Sequence, residues 1–119
     1  MPSGRDRRSS RKKTFEKIRV LQLAPVRFRK QLVQKGDREL VNSVCECCLN
    51  ILHGNVPLTE KEKSAIAKHK KALRAVVKKK LSLRKKKEII QKGGFLGAVL
   101  GPAAAFLGSL LLNGTTSSS

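Results

Sequence analysis

The chain has 119 residues, and its 27 Lys and Arg against 8 Asp and Glu give it a formal net charge of +19. A chain of this length holds one small domain with tails, and an aromatic content of 3% leaves little material for the apolar wall of an enzyme pocket. Excess positive charge repels itself in a compact chain and attracts polyanions. The composition therefore predicts a basic binding protein rather than an enzyme, and nothing in it calls for a cofactor.

The charge is divided into blocks along the chain. Residues 1–35 carry a net charge of +10, residues 36–58 carry −2, and residues 59–92 carry +11. Residues 93–119 contain no ionisable side chain. Two cationic blocks followed by an uncharged segment indicate two separate tasks, one electrostatic and one apolar.

Three segments follow from this division. Residues 1–13 form a basic arm without apolar periodicity, and we expect the arm to be disordered until a polyanion covers it. Residues 14–92 form a basic helical domain. Residues 93–119 comprise a Gly-Gly break, an apolar tail and a Ser/Thr-rich end. The start of the domain, residues 14–23, is compatible with either a helix or an extended segment.

Residues that start or end helices, together with the spacing of apolar residues, predict two helices over residues 25–53. Pro25 suits the first turn of a short helix that ends before Gly36. Asp37 then opens a stronger helix that runs to about residue 53, with apolar residues at spacings of three, four and seven.

Two further helices are predicted over residues 60–92. Thr59 and Glu62 match a capping box at the start of a helix over residues 60–80, and Ser82 caps a last basic helix ending near residue 92. The predicted fold class is all-α: a small helical hairpin or bundle of three to four short helices, with a disordered N-terminal arm and a separate apolar C-terminal helix. Self-association is one way of completing its core.

Cations over residues 59–92 surround most of each helix, a distribution typical of phosphate neutralisation rather than base reading. Tyr and Trp, the usual platforms for single strands, are absent. We therefore predict binding to double-stranded DNA without sequence preference; ten phosphate contacts would lower affinity roughly 10⁵-fold between 50 and 200 mM salt. A solvated charged surface, an anionic lipid and an acidic protein are the alternatives. The predicted phosphate contacts are Lys68, Lys70, Lys71, Arg74, Lys78, Lys79, Lys80, Arg84, Lys85, Lys86 and Lys87, helped by Arg5, Arg7, Arg8, Arg11, Lys12 and Lys13.

Three cysteines lie close together in the sequence Cys-Glu-Cys-Cys. Cys45 and Cys48 are one helical turn apart, but a zinc site needs four ligands and the chain has no second pair. We therefore predict no metal site and interpret these residues, with Cys47, as small apolar side chains beside the packed face of a reduced protein. An interchain disulfide is the alternative.

Residues 95–112 form an uncharged apolar segment with a G-x-x-x-G motif. Its length is at the lower limit for crossing a bilayer, and Pro102 would kink a spanning helix. Three interpretations stay open: insertion into a membrane, packing on a partner or a second copy, and closure of the domain's own core. The residues concerned include Phe95, Leu96, Gly97, Gly101, Pro102, Phe106, Leu107 and Leu110.

Two stretches carry a resemblance to a known family. They read CLNILHGNVPLTEKEKSAIAKHKKALR and KKKLSLRKKKEIIQKGGFLGAVL, beginning at Cys48 and Lys78. Over residues 36–112 the chain resembles the small basic "protein X-like" products of Polinton/Maverick elements and adintoviruses, which are in turn similar to the precursor of the adenovirus core protein X (mu). The resemblance implies a virion core protein that condenses double-stranded DNA beside capsid proteins.

The resemblance also implies maturation by an adenovirus-type cysteine protease that cuts after Gly-Gly. The site here would be Gln91-Lys92-Gly93-Gly94, with the cut before Phe95. The alternative is that the two glycines only end a helix. The resemblance implies the virion core as one location. The host nucleus is the other expected location, because the chain shows no secretory signal and the basic runs at residues 7–13 and 78–87 suit nuclear import. The alternative function is a membrane-active or membrane-anchored protein that uses residues 95–112 next to the polybasic region.

Overall fold

The chain forms helices and no strand over the residues that the computed structural model describes, which are residues 3–116 for the backbone and residues 10–112 for the side chains. This confirms the predicted all-α class, although the part described has seven helices rather than three or four. The helices are α1 (Ser3–Leu23), α2 (Val26–Lys35), α3 (Arg38–Leu52), α4 (Glu60–Lys68), α5 (Lys70–Val76), α6 (Leu83–Gly93) and α7 (Leu96–Thr116).

Side-chain caps set the starts of three helices, as predicted. Asp37 accepts a hydrogen bond from the Leu40 backbone N–H at the start of α3. Thr59 and Glu62 form the reciprocal capping box of α4, and the Ser82 hydroxyl accepts from the Lys85 N–H in α6. Each cap satisfies a backbone donor that has no partner within its own helix.

A single arginine holds the corner between α1 and α2. The guanidinium of Arg29 donates to the backbone carbonyls of Leu21 (2.9 Å) and Gln22 (3.0 Å). These carbonyls belong to the last turn of α1, where helical partners are missing and positive charge is favourable. Arg29 is therefore a structural residue that fixes the direction of α2.

The expectation of a disordered N-terminal arm is wrong for residues 3–13, because α1 is helical from Ser3. Residues 1 and 2 of the expected arm lie outside the described residues. Thr14, Ile18 and Leu21 recur at spacings of four and three and are buried against the body of the protein. Once that stripe anchors the helix, the Arg, Lys and Ser residues before it extend the helix at low cost. The open choice for residues 14–23 is thereby resolved as helix.

The single helix expected over residues 60–80 is divided at His69 into α4 and α5, and α5 ends at Val76. His69 has a φ of −112° and a ψ of 10°, outside the helical range, so the helix is interrupted there. Helix α4 packs on α7 and buries Ile66, whereas α5 packs on α3 and buries Leu73 and Val76. Each short helix therefore has its own main packing partner.

The central helix is α3, which packs against α1, α5, α6 and α7. Its fully buried residues include Val41, Val44 and Cys48, which join one core cluster with residues from the other helices. Helix α3 packs against α5, and this pair is the part of the fold that most resembles the expected helical hairpin. The pair is only part of the core, since α7 and α1 form its other side.

The apolar helix α7 is not separate, and this corrects the predicted architecture. It packs along α1 and also touches α3 and α4. Phe95, Leu96, Pro102 and Leu107 are buried, Phe106 and Leu110 are half-buried, and Gly97 is exposed. Of the three interpretations of the tail, closure of the domain's own core is the one that this packing shows.

Two steric requirements explain why glycine stands at positions 93 and 94, where α6 ends and α7 follows. Gly94 has a φ of 63°, in the left-handed region that suits the residue ending a helix. At Gly93 an added Cβ would lie 2.7 Å from the Phe95 ring and 3.2 Å from the Ala72 Cβ. Since Phe95 is fully buried, a shift of its ring would disturb the packing of the core.

Within residues 3–112, no single helix is both long enough and apolar enough to cross a membrane. Helices α6 and α7 reach the length and apolar composition of a membrane span only when they are taken together, and the two helices are bent by 105° relative to each other.

Gly93→Ala should destabilise the fold by about 1–3 kcal/mol, because the new methyl group overlaps the buried Phe95 ring. Gly97→Ala is the matched control, since nothing lies within 4 Å of its Cβ and alanine favours a helix by roughly 0.5–1 kcal/mol. Urea unfolding followed by circular dichroism measures both. A Gly93→Ala protein as stable as the Gly97→Ala protein would contradict this steric role.

Candidate nucleic-acid interface

Eight of the predicted phosphate contacts lie on α5 and the segments next to it. Each of the eight side chains is exposed. They lie at the end of α4, along α5, in the loop between α5 and α6, and at the start of α6, and α5 packs against both α4 and α6. We call this set the α5 surface: Lys68, Lys70, Lys71, Arg74, Lys78, Lys79, Lys80 and Arg84.

The cations of the α5 surface are not neutralised within the described part of the protein. The ion pairs found among residues 10–112 join Lys63 to Glu60, and both Lys85 and Lys92 to Glu88. No side chain of the α5 surface takes part in any of these pairs. Because a surface ion pair would compete with phosphate, the absence of such pairs leaves these charges available to a polyanion.

Glu88 forms ion pairs with two lysines of α6, at the edge of the α5 surface. Lys85 donates to its carboxylate at 3.3 Å, and Lys92 lies 3.7 Å away. The hydrogen bond from Lys85, with the charges of Lys85 and Lys92, lowers the pKa of Glu88. Lys85, although predicted as a phosphate contact, therefore already has an anionic partner in the fold.

Two predicted contacts on α6 are partly used for packing. Lys86 and Lys87 are half-buried, and the Lys87 ammonium donates to the Gln34 carbonyl of α2 at 2.9 Å. Lys86 lies close enough to Cys45 for its charge to act on that thiol. Lys87 therefore helps to hold α6 against α2. This role could not be predicted, because Gln34 is distant from Lys87 along the chain.

The N-terminal cations lie on a different helix from the α5 surface. Arg11, Lys12 and Lys13 are exposed on α1, as is Arg19 further along the same helix. Arg5, Arg7 and Arg8 belong to α1 by their backbone, but their side chains lie outside the described residues. Helix α1 packs on α7 and α3, whereas the α5 surface is carried by α4, α5 and α6.

The three cysteines are buried, and α3 directs them into the core. Burial raises the pKa of the Cys47 thiol to about 12 and also raises the pKa values of Cys45 and Cys48. The Cys45 thiol contacts the Val76 carbonyl at 3.5 Å. Within residues 10–112, no group of three or more His, Cys, Asp or Glu could hold a metal ion. Burial of the thiols also keeps them out of reach of a second chain in this fold.

Comparisons with protein-family models, with curated proteins and with solved structures found no match. The interpretation of the site therefore depends on its own geometry and charge. An exposed, unneutralised cationic surface can bind phosphates through their charge, and its lysine-rich composition favours contacts with the nucleic-acid backbone over base reading.

Stability should fall as pH rises from 8 to 10, because unfolded thiols ionise near pH 9 while the Cys47 thiol stays protonated up to about 12. For Cys47 alone the loss is about 1 kcal/mol over this interval. Cys47→Ala should reduce the pH dependence by that amount in urea unfolding at each pH. An unchanged pH dependence in the variant would contradict the raised pKa.

Proposed function

We propose that the protein binds double-stranded DNA through the phosphates, without sequence preference, and compacts it. The observation that carries the proposal is the α5 surface, whose eight exposed cations have no anionic partner among the described residues. A helical domain with this much uncompensated charge lowers its own repulsion by displacing counterions from a duplex. The absence of Tyr and Trp argues against a single-stranded target, which needs stacking platforms.

The resemblance to the protein X-like products of Polinton/Maverick elements and adintoviruses supports a more specific setting. In that setting the protein is a core component of a virion, assembled with DNA and capsid proteins in the host nucleus. Cleavage after Gly94 by an adenovirus-type cysteine protease belongs to the same proposal. Phe95, on the far side of that bond, is fully buried, so a protease would have to open the α6–α7 turn before cutting. Mass spectrometry of mature particles would detect a terminus at Gly94.

The membrane-active alternative would use residues 95–112. Most bulky residues of this segment face the core of the domain, so insertion would require α7 to leave α1 and α3. Leakage from anionic liposomes by the full-length protein tests this alternative directly.

Eight phosphate contacts predict a slope of about −7 in a plot of log affinity against log salt, which is a loss of roughly 10⁴-fold between 50 and 200 mM. Replacing Lys70, Lys71 and Arg74 with Gln leaves five contacts and should make the slope less steep, at about −4.5. Fluorescence anisotropy with labelled duplexes of two unrelated sequences measures both quantities. The two sequences should bind equally.

The matched control removes the same charge from α2, with Arg27, Lys30 and Lys35 replaced by Gln. These three side chains are exposed and lie outside the α5 surface. The control should keep a slope near that of the unmodified protein. Equal losses in both variants would show that net charge alone drives binding and would contradict a defined surface.

A further inference from the structure

The exposed face of α3 separates the cations of α1 from those of the α5 surface. Arg38, Glu39, Asn42, Glu46 and Leu49 are exposed and recur at spacings of three and four, so they form one stripe along the helix. The stripe has two carboxylates against one guanidinium, in a chain whose overall charge is +19. The stripe therefore has a slightly negative net charge and lies between two cationic regions.

Two contacts place α1 and α5 on either side of this stripe. The Thr14 hydroxyl of α1 donates to the Glu46 carboxylate at 3.3 Å, and the Cys45 thiol contacts the Val76 carbonyl of α5 at 3.5 Å. Successive residues on a helix point about 100° apart, and Asn42 and Leu49 fall between these two directions. Helices α1 and α5 thus flank the exposed face of α3.

Four cations on α1 are exposed, and we call this set the α1 surface: Arg11, Lys12, Lys13 and Arg19. None of these four takes part in the ion pairs found among the described residues. Arg19 lies 6.0 Å from the centre of the Phe15 ring, a contact that leaves its charge in place. The α1 surface is thus as available to phosphate as the α5 surface.

A single duplex laid across both surfaces would bring its phosphates against Glu39 and Glu46. Like charges placed together oppose binding and help to decide which arrangement forms. Two duplexes, one on each surface, avoid this contact and still neutralise the cations on both sides of α3.

We infer that one copy of the protein bridges two DNA duplexes, with the α5 surface on one and the α1 surface on the other. This inference depends on the proposed function and adds to it the geometry of compaction. Bridging draws separate duplexes together, whereas neutralisation by a single surface would only coat each duplex.

A capture assay tests the inference. A biotinylated duplex of random sequence is immobilised on beads, the full-length protein is added, and retention of a second, fluorescent duplex is measured. Two variants test the surfaces separately. The α1 variant has Lys12, Lys13 and Arg19 replaced by Gln. The α5 variant has Lys70, Lys71 and Arg74 replaced by Gln. The control variant has Arg27, Lys30 and Lys35 of α2 replaced by Gln, with the same loss of charge. Circular dichroism checks that all of these exposed changes leave the helices intact.

The unmodified protein and the α2 control should retain the second duplex. Each surface variant should still bind one duplex through its intact side, while retention of the second duplex falls roughly 10²-fold because three phosphate contacts are lost on one side. Binding of one duplex without retention of a second by the unmodified protein would overturn bridging and leave the proposed function standing. Failure to bind any duplex would overturn the proposed function itself.

Sedimentation of the free protein completes the test, because a dimer with one DNA surface per copy could also retain two duplexes. A monomer that bridges supports the inference. A dimer whose α1 variant retains the second duplex at the unmodified level would assign bridging to pairing of copies and overturn it.

Discussion

Burial of the uncharged helix α7 is the interaction on which the rest of the structure depends. A chain with a net charge of +19 must keep nearly all of its cations in water, so its charged helices can each turn only one side to the core. Helix α7 supplies further apolar material: Phe95, Val99 and Leu100 are almost completely buried, and the helix packs along α1 and against α3 and α4. With that side of the core filled, α1 and α5 can turn their cations outward on either side of α3.

The diglycine couples this core to the cationic half of the protein. Gly94 adopts the left-handed conformation that ends α6, and Gly93 leaves room for the ring of Phe95, the first residue of the apolar segment. The boundary at which charge stops along the chain is therefore also a sharp turn. A cut at this turn would sever the covalent connection between the cationic part of the chain and α7. The packed tail could remain in place after a cut, and its release would then expose the apolar sides of α1, α3 and α4.

Local chemistry made much of the fold predictable. Asp37, Thr59 and Ser82 cap helices where the sequence placed them, because a capping side chain needs only backbone groups a few residues away. Contacts between distant residues were not predictable in this way. The bonds from Arg29 to the end of α1, the hydrogen bond from Lys87 to α2 and the helix interruption at His69 all depend on which helices meet. The packing partner of α7 was not predictable for a related reason, because a helix that is apolar on most sides has no single face to indicate its partner. The cations of the candidate site could be named from charge alone, but their division between two surfaces depends on the position of α3.

The most direct test of this account is the stability of a chain that ends at Gly94. Far-ultraviolet circular dichroism during urea unfolding is the suitable probe, because the protein has no Trp or Tyr for fluorescence. Without α7, the fragment of residues 1–94 should lose its cooperative unfolding transition, and a separately added peptide of residues 95–119 should restore it in part. A fragment that unfolds cooperatively with the midpoint of the full chain would show that the basic helices make their own core and would contradict the central role of α7.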